Sequence, residues 1–97
     1  MHDKKSILVK LQQLKTELRM RFSVGEIGLF GSVVRDDDTE RSDIDILVEF
    51  EKPIGFFQFM ELEEFLEEQL GGKVDLVSKK ALKPYIGRHI IEEVVTI

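Results

Sequence analysis

Apolar residues near the start of the chain recur at a helical period. Between Ser6 and Phe22 they fall three or four positions apart, and lysines and glutamines occupy most of the positions between them. Side chains at this spacing share one face of an α-helix. We therefore predict an amphipathic helix from Ser6 to about Phe22, with Gly25 ending that segment. The apolar face of this helix comprises Ile7, Leu11, Leu14 and Leu18.

Three short apolar segments are typical of β-strands. Residues 27–30 form a continuous apolar run that stops at Gly31-Ser32, which predicts a buried strand entering a turn. Residues 44–50 alternate, so that one face is apolar and the other begins with acidic residues. Residues 74–77 form a third apolar segment of strand length. A short helical turn beginning at Ser32 fits between the first two strands.

A second amphipathic helix is predicted between the second and third strands. Residues 56–70 carry apolar side chains at helical spacing, and Gly71-Gly72 ends the pattern. We expect Phe56, Phe57 and Phe59 to lie in the core beneath this helix and at the rim of that core. A nucleobase could also stack on one of these three rings.

A last helix completes the predicted architecture. Pro84 suits a helix start, and His89 falls on the apolar side of that helix, which favours packing over catalysis. The predicted order is α-β-(α)-β-α-β-α, in which the bracketed element is the short turn after Ser32. Helices packed on a small mixed sheet make an α/β (α+β) fold. We expect residues 1–97 to form a single domain, because neither half could bury a core of its own.

Composition and charge narrow the classes of function. The chain has no cysteine, which excludes disulfides and thiolate chemistry. It has no apolar stretch near the roughly 20 residues that span a bilayer, so we expect a cytoplasmic protein that does not bind membranes. Residues 23–70 carry fourteen acidic and three basic residues. Such an acidic segment disfavours long nucleic acids as partners and suits divalent cations.

Asp43 and Asp45 are the first candidates for chemistry. Residues two apart in a strand place their side chains on the same face, with Cβ atoms about 6.6–7 Å apart. Two carboxylates at that distance can hold one Mg²⁺ ion, or can bridge two ions about 3.5–4 Å apart. An acidic pair at the solvent-exposed start of a strand is an equally good explanation of this pattern alone.

The Gly31-Ser32 turn adds a candidate phosphate site. A turn between a strand and a helical turn presents backbone N–H groups and a hydroxyl at a helix N-terminus, where phosphate oxygens bind readily. Glycine also lets a ligand approach the backbone closely. Taken alone, Ser32 is better explained as an ordinary helix N-cap than as a phosphate ligand.

The combination of these features resembles a known family. Residues 28–35 read Gly-Leu-Phe-Gly-Ser-Val-Val-Arg, and residues 42–48 read Ser-Asp-Ile-Asp-Ile-Leu-Val. Ten residues separate Ser32 from Asp43. This pattern is similar to the minimal nucleotidyltransferases (MNT proteins) of the DNA polymerase β superfamily, and the resemblance runs from about residue 6 to the end of the chain.

The resemblance implies roles for three carboxylates. Asp43 and Asp45 match the pair that binds one or two Mg²⁺ ions in the family. Asp75 is the best match to a third carboxylate, contributed by a neighbouring strand. In the superfamily this third acid helps to deprotonate the attacking hydroxyl or completes the metal shell. The resemblance therefore implies Asp43, Asp45 and Asp75 as both the catalytic set and the metal set.

The resemblance also implies a nucleotide-binding set. Ser32 matches a serine that contacts triphosphate oxygens, and Gly31 and Ser42 belong to the same two motifs. Arg35 matches an arginine of the turn, which could contact phosphates or pair with the acidic residues that follow it. The substrate implied is a nucleoside triphosphate, with ATP as the donor of AMP.

The implied function depends on a partner protein. MNT proteins are typically antitoxins paired with HEPN ribonucleases, and the family's proposed activity is transfer of AMP to a HEPN tyrosine. The alternative is a non-catalytic antitoxin that only covers the toxin, because Val33 and Asp36 stand where members often have a basic residue and a glycine. Transfer to a small molecule is a third hypothesis. A homodimer and a hetero-oligomer both remain open.

Overall fold

The computed structural model describes residues 4–31, 43–81 and 94–97. Within these ranges the chain forms two α-helices and four β-strands, followed along the chain in the order α1 (Lys4–Phe22), β1 (Val24–Phe30), β2 (Ile44–Phe50), α2 (Phe56–Leu70), β3 (Val74–Ser78) and β4 (Val95–Thr96). A 3₁₀ turn, Lys79–Ala81, follows β3.

The four strands form one mixed sheet in the order β3-β2-β1-β4. β1 pairs antiparallel with both β2 and β4, whereas β2 and β3 run parallel. A parallel pair needs a crossover connection, and α2 lies within the connection between β2 and β3. This confirms the predicted fold class, a small mixed sheet with helices packed on it.

Both helices pack on one face of the sheet. Ile44, Ile46 and Val48 of β2 are 0% exposed and contribute to a core with the inner residues of α1 and α2. Side chains alternate along a strand, so the intervening residues of β2 point to the opposite face. The molecule therefore has a helix-covered face, which holds the main core, and a second sheet face, which begins with Asp45.

Residues with positive φ end both helices. Ser23 has φ of 59°, and its N–H donates to the carbonyl of Arg19 at 3.1 Å. Gly71 has φ of 70°, and its N–H donates to the carbonyl of Glu67 at 2.9 Å. A left-handed residue after the last turn satisfies a helix carbonyl and redirects the chain, so α1 and α2 lead directly into the following strands.

Several predicted boundaries differ from the structure by a few residues. The first helix begins at Lys4 rather than Ser6, and β1 begins at Val24, so Gly25 lies inside this strand. The predicted second helix, residues 56–70, is confirmed. The short strand β4 was not predicted. The predicted helical turn after Ser32 and the predicted helix from Pro84 lie outside the described residues.

The prediction for the first aromatic residues of α2 was wrong. Phe56 and Phe57 are 72% and 80% exposed, whereas Phe59 packs against the core and its ring lies 6.2 Å from that of Phe50. The buried residues Leu62 and Leu66 define the inner side of the helix, and positions 56 and 57 lie outside that side.

Neither helix in the described part of the chain has the length and apolar character that a membrane span requires.

Candidate active site

Three aspartates lie at one end of the second sheet face. Asp45 is the register partner of Asp75 in the parallel pair and of Phe30 in the antiparallel pair. Register partners on adjacent strands are about 4.8 Å apart and point to the same side of the sheet. Asp43 precedes β2 by one residue and is two positions from Asp45, so the strand period places it on that side too. Thus the fold brings the three predicted carboxylates to the end of the sheet at which β2 and β3 begin, which we call the carboxylate edge.

Two hydrogen bonds fix the starts of β2 and β3: one joins β2 to the residue before β3, and the other joins β3 to α2. The N–H of Ile44 donates to the carbonyl of Lys73 at 2.8 Å. The N–H of Val74 donates to Oε2 of Glu67, in the last turn of α2, at 3.0 Å. Because Ile44 precedes Asp45 and Val74 precedes Asp75, these bonds fix the strand ends that carry the two aspartates.

Glu67 is a positioning residue that sequence reasoning did not single out. It was one of five glutamates in an acidic helix, and its side-chain hydrogen bond to the backbone of β3 depends on how α2 docks. The available signal was its place one turn before the glycine pair that leads into a strand. That signal alone does not separate Glu67 from its neighbour Glu68, which is exposed.

Gly31 lies directly against the carboxylate of Asp45. It is buried and has φ of 75°, a backbone conformation that residues other than glycine rarely adopt. A Cβ atom built on Gly31 would overlap Oδ2 of Asp45 and would lie 2.9 Å from its Cγ. The turn after β1 and the aspartate of β2 therefore fit together only when residue 31 is glycine.

The site fits a Mg²⁺ ion that is shared with a phosphate ligand. Carboxylate oxygens are the hard ligands that Mg²⁺ prefers, and the ion is usually bound by one or two carboxylates together with substrate phosphates and waters. Among residues 4–31, 43–81 and 94–97, no three His, Cys, Asp or Glu side chains already form a metal-binding cluster. Asp43 and Asp75 are exposed and Asp45 is half-buried, so a phosphate ligand can reach the two exposed carboxylates.

The predicted nucleotide-binding residues are only partly described. Gly31 lies beside Asp45, as a site for a close ligand requires. Ser32, Arg35 and Ser42 lie outside the described residues, and so their assignment to nucleotide binding stays a prediction.

A concave surface begins two residues beyond Asp45 on the same sheet face. It has a volume of about 260 Å³ and is bordered by Leu47 and Glu49 of β2 and by Thr96 of β4. Nζ of Lys79 lies 3.6 Å from Oε2 of Glu49 at its margin. The sheet face that carries the aspartates therefore continues into a concave surface with apolar, acidic and basic groups.

Comparison with known proteins identifies the family of this chain. A model of the nucleotidyltransferase domain family matches residues 11–97. The protein adenylyltransferase MntA of Thermococcus cleftensis is 54% identical over 81 residues, which are 84% of this chain and 82% of the relative. The chain therefore belongs to the nucleotidyltransferase domain family. It is a nucleotidyltransferase, and its relatives include a protein adenylyltransferase.

Solved structures of similar fold include a nucleotidyltransferase and several toxin–antitoxin structures. One, described as a candidate minimal nucleotidyltransferase, has a TM-score of 0.83 and 29% identity, covering 98% of this chain and 96% of the other. A toxin–antitoxin structure with AMP-PNP has a TM-score of 0.75 and 26% identity, covering 91% and 69%. A complex of a tri-AMPylated HEPN toxin of Shewanella oneidensis with an MNT antitoxin shares the fold, with a TM-score of 0.68 and 22% identity over 93% and 70%.

Proposed function

We propose that this protein transfers AMP from ATP to a tyrosine hydroxyl of a HEPN-family toxin, and acts as the antitoxin of that pair in the cytoplasm. The observation that carries the proposal is the position of Asp45, which lies against the backbone of Gly31 and beside Asp75 in register. The 54% identity to a protein adenylyltransferase supports a protein as the acceptor. The 26% identical toxin–antitoxin structure with AMP-PNP supports an adenine nucleotide and a toxin partner.

In the proposed reaction, the acceptor oxygen forms a bond to the α-phosphorus of ATP while the bond to the oxygen that bridges to the β-phosphorus breaks. Pyrophosphate leaves with that bridging oxygen, and the acceptor becomes a phosphodiester of AMP. Asp43 and Asp45 would hold Mg²⁺ through their carboxylate oxygens, and the bound ion would offset the negative charge of the triphosphate and the leaving group. The Gly31-Ser32 turn binds phosphate oxygens through backbone N–H groups.

Asp75 has two roles compatible with its position. Its carboxylate can accept the proton of the attacking hydroxyl, because it is exposed beside Asp45 at the edge where an acceptor would arrive. It can instead complete the metal shell. Asp75→Asn with a more acidic acceptor separates these roles, since an acceptor that ionises by itself restores the rate only if Asp75 takes the proton.

The acceptor hydroxyl has to come from another molecule in this proposal. The described residues form a sheet and two helices, with the carboxylates at an edge. A tyrosine on a protruding segment of a partner can reach such an edge without a separate acceptor domain. We propose that residues 1–97 act as one domain in this reaction.

Transfer of label tests the proposal. ATP labelled at the α-phosphorus is incubated with Mg²⁺, this protein and a HEPN-family protein encoded beside it, and ATP labelled at the γ-phosphorus serves in parallel. We expect the α label, and not the γ label, to become covalently attached to the HEPN protein. If neither label transfers while the two proteins bind and the toxin is neutralised without nucleotide, the non-catalytic antitoxin is the correct function.

A further inference from the structure

The large apolar side chains that are exposed in the described part of the molecule all lie on the two helices. They range from 44% exposed for Met60 to 80% for Met20 and Phe57, and the remaining two are Val9 and Phe56. Because α1 and α2 pack side by side on one sheet face, their outward sides form one surface, which we call the outer helical surface. It lies on the opposite side of the sheet from the aspartates.

On α1, this surface has an uncharged centre. Val9, Thr16 and Met20 lie on the side of the helix opposite the buried residues Leu11, Leu14 and Leu18, and all three are exposed. Val9 also borders a shallow depression of about 360 Å³. A helix side that only faces water is usually polar or charged at its centre, so this apolar and neutral stripe is suited to contact with another protein.

The two halves of the outer helical surface carry opposite charge. α1 has six basic residues and one acidic residue, whereas α2 has five acidic residues and no basic one. The ion pairs of α1 are Arg19 with Glu51 and Arg21 with Glu17, and no ion pair joins α1 to α2 within the described ranges. Apart from Glu17, Arg19 and Arg21, the charged groups of the two helices are therefore available to a molecule that covers the surface.

We propose that the outer helical surface binds a second copy of this chain through a two-fold axis that runs along the line between α1 and α2. Rotation about that axis places the basic α1 of one copy over the acidic α2 of the other, and the same match occurs twice. An axis across the helices would instead place α1 on α1 and α2 on α2, which like charges disfavour.

The charge pattern favours a second copy over an unrelated partner. A partner of uniform charge would attract one half of the outer helical surface and repel the other half. A copy of this chain presents both signs in the spacing that the surface itself has. The exposed pair Phe56 and Phe57, whose rings are 5.9 Å apart, and Met20 supply apolar contacts at the end of the surface where α1 ends and α2 begins.

Sedimentation of the purified protein over a range of concentrations tests this proposal. We expect reversible dimers that dissociate when NaCl is raised from about 50 mM to about 500 mM, because salt screens charges beyond a few ångströms. The double variant Met20→Gln with Phe57→Gln should raise the dissociation constant about tenfold or more. Both side chains are 80% exposed in the monomer, so the fold should be unaffected.

A charge exchange provides the sharper test. One variant carries Glu61→Lys with Glu64→Lys on α2, and the other carries Lys5→Glu with Lys10→Glu on α1. Each variant alone should weaken the dimer about tenfold or more, because its substitutions bring the net charge of α2 from −5 to −1, or that of α1 from +5 to +1, and so remove most of the attraction between the two helices. An equimolar mixture should regain a dimer that contains one copy of each variant. Glu26→Lys changes an exposed residue of β1 on the other side of the sheet and should leave the dimer unchanged.

Three results would overturn the proposal. The first is a monomer that persists at about 100 μM in low salt. The second is a dimer that both charge variants retain with undiminished affinity when tested separately, and the third is a mixture of correctly folded variants that stays monomeric. Binding of this surface to a different protein, without self-association, would also replace the second copy as its occupant. Each of these measurements is made without nucleotide, so none depends on the proposed AMP transfer.

Discussion

Asp45 is the central residue of the candidate site. Its carboxylate lies against Gly31, and its register partner is Asp75. If this carboxylate binds the metal, Asp45→Asn should lower the rate of AMP transfer about 100-fold or more, since removing a group that stabilises developing charge has effects of this size. Initial rates with labelled ATP measure this change.

Glu49→Gln is the matched control for Asp45→Asn. Glu49 lies four residues further along β2, on the same sheet face, and is also half-buried. The substitution removes the same charge from the same strand, and we expect the rate to stay within about twofold of wild type because Glu49 is not at the proposed metal site. Equal losses in both variants would mean that Asp45 acts only through the general acidity of the face.

Gly31→Ala tests the fit between the turn and the aspartate. Alanine at position 31 would have to adopt φ of 75°, and its Cβ atom would overlap the Asp45 carboxylate. Gly71 has φ of 70°, with no atom within 4 Å of a Cβ built there, so Gly71→Ala measures the backbone term alone. We expect Gly71→Ala to lower the free energy of unfolding by about 1 kcal/mol, and Gly31→Ala to lower it further and abolish transfer.

The comparison of these two glycine variants is made by urea unfolding together with the transfer assay. If Gly31→Ala costs no more stability than Gly71→Ala and retains full transfer, then the close approach of residue 31 to Asp45 is not required for the reaction. At this residue scale the sequence predicted that Asp43 and Asp45 share a face, because strand alternation is local. It could not predict the contact between Gly31 and Asp45, which requires the register between β1 and β2.

The docking of α2 on β3 is the element-scale feature that orients the site. Glu67 accepts a hydrogen bond from Val74, next to Asp75. Glu67→Ala should lower the free energy of unfolding by about 1 kcal/mol, because the part-buried N–H loses its partner, and should also slow transfer. Glu67→Gln keeps an acceptor oxygen and should retain most of the stability.

Glu68→Ala is the control for Glu67→Ala, because Glu68 is the exposed neighbour in the same helical turn. Thermal or urea unfolding of the three variants gives the comparison. A loss of stability in Glu68→Ala as large as that in Glu67→Ala would contradict a specific role for the hydrogen bond to β3.

The elements with long periodic patterns were predictable, and the shortest one was not. α1 and α2 repeat apolar residues over several turns, and β2 alternates over seven residues, so local pattern fixed their type. β4 has two residues and exists because they pair with Gly28 and Leu29. A Cβ on Gly28 would lie 2.7 Å from the Val95 carbonyl oxygen, so this glycine permits the pairing. Such a strand is defined by its partner and not by its own sequence.

At the scale of the whole molecule, the two proposals assign separate tasks to the two sides of the sheet. The aspartates lie on one face, and the outer helical surface lies beyond the other. If association and transfer are independent, Met20→Gln with Phe57→Gln should give a monomer that transfers AMP within about twofold of the wild-type rate. A parallel loss of the dimer and of transfer would mean that one copy contributes to the site of the other.

Phe56 and Phe57 illustrate why the sequence could not predict the outer helical surface. An apolar residue at the start of an amphipathic helix reads as core, and only the docking of Phe59 and Leu62 shows that the preceding two rings face outward. The opposite charges of the two helices can be counted directly from the sequence. That these helices form a single layer follows from the sheet topology.

The intact mass of the HEPN partner tests the central claim most directly. The partner is incubated with ATP, Mg²⁺ and this protein, purified from the complex, and weighed by mass spectrometry, with fragmentation to locate any modified side chain. We predict a gain of one or more adenylyl groups on tyrosine with the wild-type protein and Glu49→Gln, and none with Asp45→Asn. A partner that is neutralised at unchanged mass would contradict the account.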